Sequence, residues 1–145
     1  MLAYAEVPSG RAYEMAAAFR MTAKSATRSA KRLVAKRDMA GRQLLVLSKN
    51  LPSTLRGLAQ VLEICAERDD WESPVDPEGS VTPRSVWESA KADIYPAAEH
   101  ASALFQAWDR GSDQPANDYV KSHAAAVLVA WNNLESFGAE IFDAT

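Results

Sequence analysis

The stretch SGRAYEMAAAFRMTAKSATRSAKRLVAKRDMAG, Ser9–Gly41, reads as one long amphipathic helix. Ser9 is a capping residue type and Gly41 supplies a left-handed stop, which predicts a helix reaching about Ala40. Counted at 100° per residue from Arg20, the residues Lys24, Arg28, Lys31, Arg32 and Lys36 share roughly 160° of one side. Met15, Phe19, Ala23, Ala26, Ala30 and Leu33 share an opposing arc of about 100°. Arg37 lies off the basic stripe, near the predicted helix end. A helix of about 30 residues is roughly 45 Å long, and one apolar arc of that length needs partner helices to cover it.

Those partners follow in order. Leu44–Leu47 is a short apolar run, read as a helical turn rather than a strand. Asn50-Leu51-Pro52-Ser53 is a break with Ser53 as the next N-cap, and Leu55, Leu58, Ala59, Leu62, Cys65 and Ala66 then keep helical spacing to about Arg68. Residues 69–81, DDWESPVDPEGSV, are rich in proline, glycine and acid and form a loop longer than most helix connections. Thr82-Pro83 pairs an N-cap with proline at the first helical position. From Val86 and Trp87 through Ala90, Ile94, Ala97, Ala101, Leu104, Phe105 and Trp108 the apolar period continues, with Pro96 expected to kink or split the helix. Gly111–Asn117 is a turn, and a last helix from about Pro115 to Phe142 aligns Val120, His123, Val127, Trp131, Leu134, Gly138 and Ile141. With no convincing strand and no repeat, the expectation is all-α: a single-domain bundle of four to five helices. Its parts are a basic segment 1–68, the acidic loop 69–81 and an acidic helical segment 82–145.

The chain's net charge of −3 over 145 residues conceals a division. Residues 1–60 hold eleven Lys or Arg against Glu6, Glu14 and Asp38, a net of +8, and the remainder holds five basic and sixteen acidic residues, a net of −11. Such asymmetry speaks of partners rather than of fold. Six cations on one helix face, Arg20, Lys24, Arg28, Lys31, Arg32 and Lys36, repel one another with no interleaved acid at i, i+4, and an external anion relieves that cost. Nucleic-acid backbone is the leading candidate, bound with strong salt dependence. An acidic protein surface, including the acidic half of a neighbouring copy in a head-to-tail contact, and a merely solvated face stay open. A membrane is disfavoured, because the apolar arc is mostly alanine and would insert weakly.

Other chemistry finds little support. The longest apolar run, Ala124–Trp131, is too short to cross a bilayer, and Met1–Gly10 lacks the charged and apolar regions of a signal peptide. With Cys65 as the single cysteine, no internal disulfide forms, which fits a reducing, cytoplasmic setting. Cys65 lies on an apolar stripe and reads as an inert thiol. His100 and His123 sit on different helices, and His123 falls on a buried stripe. Glu99-His100 lacks the spacing that would aim two ligands at one metal, and six scattered glycines build no phosphate loop. No metal, cofactor or catalytic group is expected. Trp87, Trp108 and Trp131 occupy stripe positions and read as core. Trp71 lies between Asp70 and Glu72 in the acidic loop and is either a partner contact or a loop anchor.

Two resemblances bear on function. Leu47–Leu58, LSKNLPSTLRGL, resembles the turn and recognition-helix start of helix-turn-helix repressors, in which a Thr-apolar-Arg segment enters the major groove. It is one residue short between Leu51 and Ser53, and Leu45 and Val46 stand where a small residue is usual. That resemblance implies duplex recognition through Thr54 and Arg56. Taken whole, the size, the helical content and the basic face of Arg20, Lys24, Arg28, Lys31, Arg32 and Lys36 resemble the small helical subunits of multisubunit CRISPR effector complexes. The resemblance implies a non-catalytic subunit that offers basic residues to the phosphates of RNA or single-stranded DNA within a ribonucleoprotein. A helix-turn-helix regulator and a structural or adaptor protein, one of phage origin included, are the alternatives.

Overall fold

In the computed structural model, residues 9–36, 39–111 and 118–142 are described, and all of their regular structure is helical. The helices are α1 (Ser9–Lys36), α2 (Met39–Leu47), α3 (Leu51–Arg68), α4 (Pro83–Asp109) and α5 (Asp118–Ile141). Arg37 and the expected start of the last helix near Pro115 lie outside the described residues.

The apolar period does what it predicts: Met15, Phe19, Ala23, Ala26 and Leu33 of α1 are all buried. So are Leu55, Leu58 and Leu62 of α3, and Val120, Val127, Leu134 and Ile141 of α5. Helix α1 packs on α3 and α5, and α4 packs on α5 and α3, so four long helices close a ring in which α1 stands diagonal to α4. Arg11 meets Glu140, Ser29 meets His123 and Lys36 meets Tyr119, which sets α1 antiparallel to α5. Trp87 meets Leu134 and Lys121 meets Trp108, which does the same for α4 and α5. The alanines of α1, Ala12, Ala16, Ala23 and Ala26, let its neighbours approach closely.

Several boundaries differ from the expectation. Gly41 is no helix stop: it lies inside α2 and is not among the positive-φ glycines, Gly79 and Gly111. A Cβ at Gly41 would come within 2.7 Å of the Leu33 methyls, so its smallness serves packing. Helix α3 starts two residues before Ser53, with Asn50 as its N-cap, Pro52 in its first turn and no side-chain cap bond. Pro52 has no N–H to give, and a first helical turn asks for none. Pro96 does not split α4, which runs through it; Ala92 and Pro96 both face solvent, where water can serve the freed carbonyl. Thr82 behaves as read, accepting from Ser85 N at 3.2 Å while Thr82 N donates to Ser85 Oγ at 3.0 Å.

The acidic loop is built. Arg68 donates to the carbonyls of Asp70 and Pro74 at 2.9 Å each and also to that of Ser73. The Asp76 carboxylate accepts from Val81 N at 2.7 Å and from Ser80, closing the turn around Gly79 at φ +75°. Trp71, 4% exposed, belongs to the core cluster. Of its two readings the anchor is the one observed, and a partner could not reach the ring without dislodging the loop.

Candidate nucleic-acid interface

Arg20, Lys24, Arg28, Arg32 and Lys36 are spaced four apart, so successive side chains advance about 6 Å along α1 while drifting about 40° around it. Lys31 sits between this row and the α3 side. All six are exposed. Because α1 is diagonal to α4, the row occupies one corner of the bundle, and α4 carries Glu88, Asp93, Glu99 and Asp109 at the opposite corner.

The six are not equivalent. Arg20 Nη1 pairs with Glu63 Oε2 of α3 at 2.5 Å, so it ties two helices together. The Lys36 ammonium lies 4.9 Å from the centroid of the Tyr119 ring on α5. Lys24, Arg28, Lys31 and Arg32 have no ion pair among the described residues. They present net positive charge to solvent along the row.

Between α1 and α5 the surface sinks into a groove of about 400 Å³, whose walls include Ser25, Arg28, Arg32 and Ser122, with Met21 and Val129 at an exposed apolar rim. It adjoins a hollow of about 260 Å³ lined by Ser29, Arg32, Asp118, Tyr119 and Ser122. Ser29, 7% exposed, is recessed where the two meet. No family model matches the chain, nor does any curated protein or solved structure.

Beneath the groove lies a polar relay that ties three elements. His123 is 1% exposed; its Nδ1 is 2.7 Å from Ser29 Oγ and its Nε2 is 2.8 Å from Ser48 Oγ, in the turn before α3. Ser48 Oγ donates to Leu44 O at 2.7 Å, and Ser29 Oγ is 3.1 Å from Ala26 O. Four contacts need four protons, and a neutral imidazole with two hydroxyls supplies three. The longest contact, Ser29 to Ala26, is the one left weak. With a neutral imidazole the proton order is Nε2–H to Ser48, Ser48 to Leu44 O, and Ser29 to Nδ1. Burial holds the imidazole pKa below its ordinary value of 6.5, which favours this neutral form.

Elsewhere, burial pushes the Cys65 thiol up to about 11 against the opposing pull of Arg68, so the sulfur stays protonated at neutral pH. His100 Nε2 is buried with no hydrogen-bond partner among the described residues. No cluster of three potential metal ligands occurs among the described residues, and no helix there is long and apolar enough to cross a membrane. The helix-turn-helix stretch does form two helices around Ser48–Asn50. But the Thr54 hydroxyl is engaged within the bundle, donating to Asp93 Oδ2 of α4 at 2.7 Å. Arg56 remains exposed.

The basic row was readable from helical spacing. The groove was not, because it depends on which helix lies beside α1. Its one sequence trace is the placement of Ser25 and Ser29 at the edge of the basic arc.

Proposed function

We propose that this chain is a non-catalytic, sequence-independent nucleic-acid-backbone-binding subunit of a ribonucleoprotein assembly, of the kind that CRISPR effector complexes exemplify. The observation that carries it is the outward row Lys24, Arg28, Lys31 and Arg32, free of ion pairs among the described residues and bordered by hydroxyls. Guanidinium and ammonium groups held at helical spacing meet phosphate oxygens, and each phosphate neutralised releases counterions. A row that reads charge and not base edges gives affinity without sequence preference. The apolar arc of α1 is buried against α3 and α5, so this helix has no apolar face to lay into a membrane.

Contact with an acidic protein, including the α4 corner of a second copy, would draw on the same cations and so competes with nucleic acid. Fluorescence anisotropy with a labelled oligonucleotide, titrated across ionic strength, decides the matter. Binding is expected to weaken steeply with salt, and the Arg28→Glu, Arg32→Glu double variant is expected to lose most of it. Salt-independent binding, or full binding by the double variant, would refute the reading.

A further inference from the structure

The outward row alone would serve a duplex and a single strand alike; the groove beside it would not. Ser29 is recessed at its floor and Arg32 and Ser122 belong to both the larger groove and the smaller hollow. A duplex offers phosphates on a broad convex surface and keeps its bases stacked inside, so it can touch Lys24 and Lys31 but cannot fill the hollow. An unpaired nucleotide can. Arg28 and Arg32 with the hydroxyls of Ser25 and Ser122 form a mixed cation and donor wall suited to one phosphate. Among the described residues, the larger groove has no acidic side chain in its lining. The hollow next to it has different chemistry. Tyr119, 37% exposed with the Lys36 ammonium 4.9 Å from its ring centroid, lines it with an aromatic residue, and Asp118 gives it a carboxylate. A carboxylate repels phosphate but accepts hydrogen bonds from the exocyclic amine of a base, and an aromatic ring stacks on a base face.

We infer that the α1–α5 groove is a seat for one unpaired nucleotide, its phosphate held between Arg28, Arg32, Ser25 and Ser122 and its base in the hollow against Tyr119 and Asp118. The inference rests on the proposed nucleic-acid binding and adds to it a preference for single strands. The ligand class is an unpaired stretch of RNA or DNA carrying an amino-bearing base.

The test compares three labelled probes on the full chain: oligoadenylate RNA, oligodeoxyadenylate, and a DNA duplex of equal length. Tyr119→Ala removes the aromatic wall at an exposed position, and Ser122→Leu, also exposed, plugs the junction of the two hollows. Each variant is expected to weaken single-strand binding roughly five- to 150-fold, the loss of one stacked base, and duplex binding by far less. A loss on only one of the two single strands supports the seat and identifies the sugar it accepts. No loss on either strand, or an equal loss on the duplex, overturns the seat. The charge-reversed Arg28→Glu, Arg32→Glu protein separates the two failures. If it loses binding to all three probes while Tyr119→Ala loses none, the basic face stands and the nucleotide seat falls.

Discussion

His123 shows how one residue can hold a bundle together with hydrogen bonds that the hydrophobic pattern conceals. Its imidazole bridges Ser29 of α1 and Ser48 at the entry to α3. The sequence placed it on a buried stripe but gave no sign of the two serines, which are 94 and 75 residues away along the chain. Because burial lowers its pKa, the unfolded chain takes up this proton more readily than the folded one. Stability from the neutral imidazole is therefore complete above about 6.5 and declines as pH falls below that value. His123→Gln should flatten this part of the pH profile and cost about 1–3 kcal/mol at neutral pH, read by chemical denaturation. An unchanged slope in that variant would show that another group titrates. Asp70 and Asp76 cannot be mistaken for it. Hydrogen bonds, led by the Ser73 hydroxyl for Asp70 and by the Val81 amide for Asp76, hold both carboxylates at about 2, below the ordinary 3.8. Their contribution is present above 3.8 and is lost only as pH falls toward 2.

At the scale of helices, periodicity of 3.6 residues was enough to place every long element, because each buries one stripe against the same core. The helix ends were less legible, since glycine signals two opposite things. A left-handed stop and a close helix approach both require the missing Cβ, and only the neighbour decides between them. Gly41 packs on Leu33, and Gly138 packs on Trp87. A methyl on Gly138 would overlap the indole carbons Cε2 and Cζ2. That ring cannot step aside: it is 4% exposed, its Nε1 donates to Leu134 O at 2.9 Å, and Phe142 lies 5.3 Å away, centroid to centroid. Gly138→Ala is thus expected to destabilise the α4–α5 seam by about 3 kcal/mol or more. Gly57 is the counter-case. It is exposed within α3, and a Cβ there would meet nothing within 4 Å. Gly57→Ala should stabilise by about 0.5–1 kcal/mol, since alanine loses less backbone freedom in a helix. Thermal denaturation of the two variants should move in opposite directions; a shared direction would mean that the α4–α5 approach is looser than described.

Across the whole molecule, the charge division was visible in the chain, but its effective size was not, because ion pairing between helices is a tertiary matter. Six cations share the α1 face, yet Arg20 is engaged with Glu63 across 43 residues of sequence. That leaves Lys24, Arg28, Lys31, Arg32 and Lys36 as the cations able to neutralise phosphate. At about −0.7 per phosphate for a single strand, five contacts set a slope of log K against log salt no steeper than about −3.5. Glu63→Gln tests this directly. It removes one negative charge and releases Arg20 at the end of the row without altering any other cation. Single-strand binding should tighten, and the slope should steepen by up to about 0.7. Arg20→Gln should leave the slope unchanged, because that side chain contributes no phosphate contact while paired. Should Arg20→Gln reduce the slope as much as Lys24→Gln does, the Arg20–Glu63 pair opens on binding and the row acts with six cations, not five. A slope much steeper than −3.5 in the unaltered chain would instead bring in the exposed Arg42, Lys49 or Arg56, and the interface would then extend from the α1 corner over α2 and the start of α3.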